Sequence, residues 1–303
     1  MKLKGLPLVA LIALWLLWGY SWIFLKIGLL DSGALSFAAH RTLLGALFLL
    51  LAMAITGRRI APERVWEIVT LGLVQTTGFV GMSNTALVEG DAGRTAVLIF
   101  TMPFWTLLIA SPLLGERIGR IQGVATLIAG LGLIAIVQPW DPSGSLTSKL
   151  LAICGGATWA ASVILIKRIQ ARAPIDPVSL TAWQMLIGSL GLYLAAFAIG
   201  EPQTVWSQRF LLCLAITGIV STGIGWLLWT YVLEHSAAGL AGLGSLAIPV
   251  IAILSSALHL GERPQALEIA GIASIIAALA VLGMRELRSQ RALEQPEPLS
   301  PKQ

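Results

Sequence analysis

The sequence predicts an all-α integral membrane protein, with ten transmembrane helices arranged as two inverted five-helix repeats. Three observations predict this fold class: the composition, the recurrence of long apolar runs, and a phrase that appears once in each half. Hydrophobic residues make up 56% of the 303 positions and charged residues 12%, whereas a soluble domain carries about 25% charged residues. So few charges cannot cover a water-facing surface, and we therefore assign the chain to a lipid bilayer.

Runs of about 20 apolar residues, enough to cross ~30 Å of hydrocarbon, follow one another along almost the whole chain. Lys2 and Lys4 precede the first run as they would in a signal peptide, but no small-residue cleavage site follows, so we interpret this run as a helix. The predicted transmembrane helices, in order, are Leu6–Ile27, Ala34–Thr56, Trp66–Leu87, Gly93–Leu114, Gln122–Gln138, Lys149–Ile169, Val178–Ile199, Phe210–Glu234, Ala238–Leu260 and Ala266–Gly283.

The connection over residues 139–148 is rich in turn residues and divides these helices into two sets of five. We predict a first five-helix repeat over residues 1–138, a linker over 139–148 and a second five-helix repeat over 149–284. The remaining residues, 285–303, are charged and contain three prolines. Because such a composition does not form a packed core, we predict that they are a disordered cytoplasmic tail.

A sequence duplication supports this division. The segment that begins at Pro103 ends with the motif Leu-Gly-Glu-Arg at Leu114–Arg117, and the segment that begins at Pro249 ends with the same motif at Leu260–Arg263. We expect the Glu and Arg of each phrase to pair and fix a turn. Because five is an odd number of helices, we predict that the second repeat enters the membrane from the opposite side to the first. Transporters built from such inverted repeats open one site near the midplane to each side of the membrane in turn. Other positions recur as well: Ala92-Gly93 as Ala238-Gly239, Trp18 as Trp159, Ser21 as Ser162 and Lys26 as Lys167.

Positive charge is distributed unevenly over the predicted loops. With the N-terminus inside, 14 of the 20 Lys and Arg residues fall on the cytoplasmic side, five on the opposite side, and Arg41 within a helix. The positive-inside rule then places both termini in the cytoplasm. The same loops account for the net charge of +5, so we predict no nucleic-acid partner.

Several chemistries lack the residues that they need. No phosphate-binding Gly-Lys-Ser/Thr loop is present, and both cysteines, Cys154 and Cys213, fall within predicted helices. With three histidines and no paired carboxylates inside a span, we predict no enzyme activity, no cofactor and no metal. A proton-coupled carrier normally uses a buried carboxylate, and the middle of every predicted span lacks one, so facilitated transport is the favoured interpretation. A channel would need a charged or carbonyl ring, which is missing.

The two five-helix halves, the Pro-to-Gly-Glu-Arg phrases and Arg41 near the start of the second helix resemble the EamA family of the drug/metabolite transporter superfamily, over roughly residues 6–283. With 11 Trp residues, the chain looks most like the bacterial exporters of aromatic and other neutral amino acids. The resemblance implies a multi-pass protein of the bacterial inner (cytoplasmic) membrane that exports a small metabolite by alternating access. Its partners would be the lipid bilayer and the small-molecule substrate. Export of drugs, nucleosides or sugars coupled to protons is the alternative, and the oligomeric state, monomer or larger, is open.

Polar groups inside spans are costly and predict where a substrate cavity lies. In the third helix Thr76, Val80 and Asn84 share a face, with Gln75 beside them. In the eighth helix Thr217, Ser221, Gly225 and Trp229 form one stripe, and in the ninth Ala237, Ala241, Ser245 and Pro249 form another. Small residues at this spacing favour close helix packing, with cavity lining as the alternative. Together with the family resemblance, these features predict a cavity near the midplane with polar contacts from Gln75, Asn84, Thr101 and Ser245 and an apolar wall of Trp105, Trp159 and Trp229.

Four further residues have candidate roles. His40 and Arg41 lie roughly 10 Å inside the second span and form a candidate carboxylate or proton site, although Arg41 is equally suited to bond backbone carbonyls or to reach outward. Pro103 and Pro249 lie near the middle of their spans and lack an N–H, which frees a carbonyl one turn earlier. We predict that these prolines are helix hinges, with a simple local kink as the alternative.

Overall fold

The structure is a computed structural model of the chain, and it describes residues 6–102, 104–106, 108–109, 119–138, 145–172, 175–235 and 247–294. The predicted hinge Pro103, the predicted contact Ser245 and the first Gly-Glu-Arg phrase lie outside these residues. All regular structure within them is helical, without a β-strand. This confirms the prediction of an all-α protein.

Helices occupy the position of each predicted span, and wherever the structure describes both ends they lie within a few residues of the predicted ones, except at the end of the last helix. Among the described residues, six helices, α1–α3 and α6–α8, are long and apolar enough to cross a membrane, and α5, α9 and α10 contain shorter apolar stretches. The chain is therefore a multi-pass membrane protein. The helices are α1 Leu6–Gly28, α2 Ala34–Ile55, α3 over residues 65–89, α4 Ala92–Ile99, α5 Arg120–Val137, α6 Leu146–Arg172, α7 Pro177–Ile199, α8 over residues 208–235, α9 Ala247–Leu260 and α10 Ala266–Glu294. Residues 102, 104–106 and 108–109, between α4 and α5, are also helical.

Two helices change from α-helical to π-helical geometry in the middle. In α3 the π-helical segment is Gly72–Val80, and in α8 it is Ile216–Ile224; each is nine residues long. A π-helix is rare, and when it occurs it is frequently at a functional site. Because α3 and α8 are the third helices of their halves, the two π-helical segments fall at corresponding places.

Glycines let several helices approach closely. A Cβ atom added at Gly72 in α3 would lie 2.7 Å from the carbonyl oxygen of Gln184 in α7, and one added at Gly132 in α5 would lie 2.8 Å from that of Gly271 in α10. Such distances are too short for a side chain, so these backbones are in direct contact. Small residues at helix contacts are typical of membrane bundles.

The packing of the helices follows the division into halves. Helix α2 packs on α7 and α5 on α10. The other main contacts form pairs: α1 with α9 and α6 with α4, α3 with α7 and α8 with α2, α1 with α8 and α6 with α3. When α1 is matched with α6, α2 with α7 and so on up to α5 with α10, each of these contacts corresponds either to another contact of the same set or to itself.

Charged groups cluster at the end of the bundle where α1, α3 and α9 finish, which we call the Glu262 end (Lys26, Asp31, Arg209 and Glu262). The Glu262 carboxylate accepts hydrogen bonds from the backbone N–H groups of Ala92, at 2.7 Å, and Gly93, at 3.1 Å. The expectation that Glu262 pairs with Arg263 is therefore wrong. The first N–H groups of a helix have no intrahelical partner and carry partial positive charge, so the start of α4 attracts this carboxylate.

The other charges at the Glu262 end are also satisfied. The Lys26 ammonium donates to the carbonyl oxygens of Leu87, Val88 and Gly90, at 2.7, 3.0 and 2.9 Å. Asp31 accepts hydrogen bonds from Arg209 at 2.5 and 2.8 Å and from Ser207 at 2.7 Å. These bonds, those of Arg209 first, hold the pKa of Asp31 below its ordinary value.

The last helix is longer than predicted. Helix α10 continues to Glu294, so residues 285–294 are helical where we predicted the start of the disordered tail. The reason lies in the local sequence, because these residues are mostly Arg, Glu, Leu, Gln and Ala, which are good helix formers. The first proline of the tail is Pro296, and residues 295–303 lie outside the described part.

Candidate functional site

A cavity of about 120 Å³ lies in the middle of the bundle and takes side chains from both halves. Since a water molecule occupies about 30 Å³ in the liquid, this space holds several waters or a small organic molecule. Its aromatic lining consists of Trp18, Trp22, Phe79, Phe100, Trp159 and Trp226. Its polar lining consists of Ser21, Arg41, Thr42, Gln75, Thr76, Ser83, Asn84, Gln184, Ser221 and Thr222.

The π-helical segments supply much of the polar lining. In α3, the Thr76 hydroxyl donates to the side-chain oxygen of Gln184 in α7 at 2.7 Å. In α8, the Thr222 hydroxyl donates to the carbonyl oxygen of Thr217, five residues earlier, at 2.7 Å. Gln75 is buried at 4% exposure, and its carboxamide bonds to no other residue in the described part of the chain. Gln75 thus keeps unused donors and an unused acceptor beside the cavity.

Arg41 is the charged residue of the lining. Its terminal nitrogens lie 3.4 Å from the Thr222 hydroxyl and 3.4 Å from the side-chain oxygen of Asn84, beyond the usual range for such bonds of roughly 2.7–3.2 Å. Its Nε atom is fully buried and has no partner. No carboxylate of the described residues lies within ion-pair distance of the guanidinium. The positive charge is therefore nearly unpaired.

Aromatic rings form another part of the lining. The ring of Trp159 stacks on Phe79 with centroids 4.9 Å apart, and Phe100 meets Trp159 edge-on at 5.5 Å. Trp18 packs against Trp226 at 5.7 Å, and its indole N–H donates to the carbonyl oxygen of Ser221 at 2.9 Å. These rings offer apolar area and π faces to a molecule in the cavity.

The structure brings together some of the predicted site residues: Gln75, Asn84, Trp159 and Arg41 all line the cavity. Thr101 and Trp105 instead bond to each other within the fourth span, since the Trp105 indole N–H donates to the Thr101 hydroxyl at 3.2 Å. That hydroxyl in turn donates to the carbonyl oxygen of Leu98 at 2.5 Å.

Three further predicted residues lie away from the lining. Trp229 packs behind Trp18, with ring centroids 5.9 Å apart. His40 bonds to the carbonyl oxygen of Ser36 at 2.5 Å and meets the rings of Tyr193 and Trp206 edge-on at 5.3 and 5.0 Å. Pro249 is buried within α9.

Sequence reasoning missed several lining residues. Gln184 had a signal, because it is a carboxamide in an apolar span just as Gln75 is. Trp18 had one too, because it is the repeat equivalent of the predicted Trp159. Ser221 lies on a stripe that we interpreted as a packing face with cavity lining as the alternative, and Thr222 is its neighbour in the sequence; both line the cavity.

A second, more polar pocket of about 190 Å³ lies near the Glu262 end. Its cations already have partners: Arg94 pairs with Asp91 at 2.9 Å and Glu268 at 2.7 Å, and Lys149 donates to the carbonyl oxygen of Val137 at 2.8 Å. In the described part of the chain, no three His, Cys, Asp or Glu residues group as a metal site requires. The central cavity is therefore the candidate site.

Comparison with known proteins identifies the family. The model of the EamA-like transporter family matches the chain twice, over residues 5–138 and 146–284. The uncharacterized transporter YoaV of Bacillus subtilis is 26% identical over 263 residues, which is 84% of this chain and 89% of that protein. A probable amino-acid metabolite efflux pump of Salmonella typhimurium is 25% identical over 287 residues, which is 90% of this chain and 94% of that protein.

A solved structure described only as "Crystal structure of protein" matches with a TM-score of 0.66 and 19% identity, over 95% of this chain and 99% of that one. At this identity the match shows the fold alone. The two family matches together cover nearly the whole chain. Because the family and its curated relatives are transporters, the protein is a membrane transporter rather than an enzyme, and it belongs to the EamA-like transporter family.

Proposed function

We propose that the protein exports small metabolites, above all amino acids with apolar or aromatic side chains, from a bacterial cell by alternating access. The observation that carries this proposal is the central cavity, which takes its lining from both halves of the chain. A carrier of this kind binds its substrate at the interface of two related halves and exposes it to either side in turn. We place the protein in the inner membrane with both termini in the cytoplasm.

Three observations support two halves of opposite polarity. The family model matches each half separately, and the main helix contacts persist when the halves are exchanged. The π-helical segments of α3 and α8 fall at corresponding places. Because we predict five helices in each half, which is an odd number, the second half would enter the membrane in the opposite direction to the first.

The aromatic wall supports the proposed substrate class. Rings such as Trp159 and Phe79 suit an apolar or aromatic side chain, and one relative is named as a probable amino-acid metabolite efflux pump. We propose Gln75, Asn84 and Trp159 as substrate contacts. Thr101, Trp105, Trp229 and Ser245 remain predictions as contacts, and Pro103 and Pro249 remain predictions as hinges.

Facilitated export fits the cavity better than coupling to protons. The described residues that line it include no Asp, Glu or His, so the lining offers no group that titrates between pH 4 and 8 as a proton relay would. His40, the predicted proton site, lies among aromatic rings. Proton-coupled export of drugs, nucleosides or sugars is the second candidate, and its relay would have to lie outside this lining.

Transport by purified protein in liposomes tests the proposal. We expect uptake of labelled L-phenylalanine down its gradient to saturate with concentration and to persist when a protonophore collapses the proton gradient. Liposomes without protein are the control. Flux that rises linearly without saturation would indicate a channel, and loss of flux with the protonophore would favour the proton-coupled alternative.

A further inference from the structure

The guanidinium of Arg41 is the charged group in the described lining of the cavity, and it lacks a close partner. It projects into the cavity from α2, next to the hydroxyl of Thr222 and the carboxamide of Asn84. Both contacts are long, at 3.4 Å, and Nε has no partner. Most of its donors are therefore unused, and one of them, Nε, is fully buried.

Other cations of this bundle, whether buried or partly exposed, have closer partners. Lys26 donates to three backbone carbonyls, and Lys149, which is 5% exposed, donates to the carbonyl oxygen of Val137. Arg209 forms two hydrogen bonds with Asp31. These cations are bonded to backbone carbonyl oxygens or to a carboxylate. In the described part of the chain, no group of either kind bonds to the guanidinium of Arg41. A buried charge that lacks its counter-charge is unfavourable, so a bound anion would supply what the protein does not.

The repeat equivalent of Arg41 shows that the charge is not a requirement of the fold. Arg41 lies four residues before Gly45 in α2, and Gln184 lies four residues before Gly188 in α7. Gly45 packs against the π-helical segment of α8, and Gly188 packs against that of α3. At the second position, neutral Gln184 bonds to Thr76 at 2.7 Å. A neutral side chain therefore suffices at this kind of helix crossing, and the guanidinium serves another purpose.

We propose that Arg41 binds the anionic group of the substrate, and that the cavity recognises a carboxylate attached to an apolar body without requiring an ammonium group. This deepens the proposed function and rests on it, since it takes the cavity as the transport site. A guanidinium holds a carboxylate through two parallel hydrogen bonds. The aromatic wall formed by Phe79 and Trp159 then takes the apolar body. The described lining has no acidic side chain to hold an ammonium, so des-amino acids fit as amino acids do.

Four probes with one phenyl body test this by calorimetric binding to the purified full-length protein: L-phenylalanine, 3-phenylpropionate, 2-phenylethylamine and 3-phenylpropanamide. The first two carry a carboxylate, the third only an ammonium, and the fourth no charge. We expect the two carboxylates to bind with affinities within about threefold of each other, since Arg41 makes the same bonds to both. The amine and the amide should bind at least about tenfold more weakly, because they lose a charge-assisted bond.

Variants assign the effect to one side chain. Arg41→Gln should weaken both carboxylates by roughly tenfold to a hundredfold and leave the neutral amide unchanged. Arg41→Lys should retain part of the affinity, because it keeps the charge but loses the paired hydrogen-bond geometry; it also serves if Arg41→Gln does not fold. The control is Arg59→Gln, whose side chain is 76% exposed and pairs with Glu63, and which should bind like the wild type.

The outcomes separate this inference from the proposed function when labelled phenylalanine flux is measured in parallel. Flux together with 3-phenylpropionate binding that depends on Arg41 supports both. Flux with equal binding of amine and carboxylate, or with unchanged carboxylate binding in Arg41→Gln, overturns the role of Arg41 and leaves the exporter proposal intact. Arg41-dependent carboxylate binding without amino-acid flux supports the anion site and overturns amino-acid export. The absence of both overturns both.

Discussion

Two equivalent helix crossings flank the cavity, and each joins one helix of α1–α5 to one helix of α6–α10. At one crossing α7 meets α3, and Gln184 bonds to Thr76 at 2.7 Å. At the other α2 meets α8, and Arg41 lies 3.4 Å from Thr222. The backbone geometry is shared, since each crossing combines a glycine with a π-helical segment. Two crossings of the same backbone geometry thus differ in one side chain, and this difference gives the cavity its charge.

The same kind of contrast recurs at the ends of the first and sixth helices. Lys26 is bonded to three carbonyls at the end of α3, whereas its sequence equivalent, Lys167 in α6, is exposed. Equivalent residues thus have different surroundings in the two halves. Such a difference fits the alternating access that we propose, in which the two halves of a carrier differ at any moment.

The largest effect is expected from the shared backbone contact. Gly188→Ala would put a Cβ atom 2.5 Å from the carbonyl oxygen of Gly72 and against the side chain of Thr76. Since both neighbours belong to the packed π-helical segment, α7 would have to move away. We expect the free energy of unfolding in mixed micelles to fall by about 3 kcal/mol. Gly123→Ala, where nothing lies within 4 Å, is the control and should be neutral or slightly stabilising. If both variants lowered the free energy of unfolding equally, the close contact between α7 and α3 at Gly188 would be contradicted.

The equivalent residues Lys26 and Lys167 allow the surroundings of one position to be compared between the two halves. Lys26→Met keeps the length of the side chain but leaves the carbonyls of Leu87, Val88 and Gly90 without their donor. We expect a loss of about 2 kcal/mol of unfolding free energy, because hydrogen bonds from a charged group are removed. Lys167→Met, at the exposed equivalent position, should change stability by less than about 0.5 kcal/mol. The same loss in both variants would show that the halves do not differ here.

The aromatic wall gives a prediction about flux rather than stability. Trp159→Ala removes the ring that stacks on Phe79 and lines the cavity, so we expect phenylalanine flux to fall about tenfold, on the order of 1.4 kcal/mol. Trp229→Ala removes a ring behind Trp18 and should reduce flux by less than about threefold. Flux is measured in liposomes at equal amounts of folded protein. A larger loss with Trp229→Ala would favour the original prediction from the sequence.

The smallest effect is expected from pH. The pKa of Asp31 is held below its ordinary value by hydrogen bonds, first from Arg209 and then from Ser207. A lowered folded-state pKa contributes stability that is present above the unfolded-state value near 3.8 and is lost as pH falls through the folded-state value. Thermal unfolding between pH 5 and 3 should therefore show a shallower decline for Asp31→Asn than for the wild type. If the stabilities of the wild type and Asp31→Asn declined in parallel over this pH range, Asp31 would not contribute to the pH dependence of stability.

The sequence predicted the helices well because membrane spans follow from length and hydrophobicity. Gln75 and Asn84 were found because a carboxamide in an apolar span needs a polar environment. Gln184 meets the same criterion and was overlooked. Arg41 was identified as a candidate, but the sequence left open whether it bonds backbone carbonyls, and only the distances in the structure show that it does not.

It was harder to predict which tryptophans line the cavity. A stripe of residues along a helix is predicted on the assumption that the number of residues per turn is constant. In α8 we expected a stripe from Thr217 through Gly225 to Trp229. The π-helical segment Ile216–Ile224 bonds each residue to the one five positions earlier, and this rotates the residues that follow. Trp226 therefore lines the cavity and Trp229 does not. Hydrophobicity alone does not reveal such a segment, since its residues are as apolar as those of an ordinary helix.

The central claim is that two halves of opposite polarity enclose one cavity, and equivalent loops test it most directly. Arg59, between α2 and α3, and Gln203, between α7 and α8, are both exposed and are suited to single cysteines after Cys154 and Cys213 are replaced by serine. With an impermeant maleimide on intact cells, we expect Gln203→Cys to react at once and Arg59→Cys to react only after the membrane is opened. Reaction of both cysteines from the same side would contradict the account.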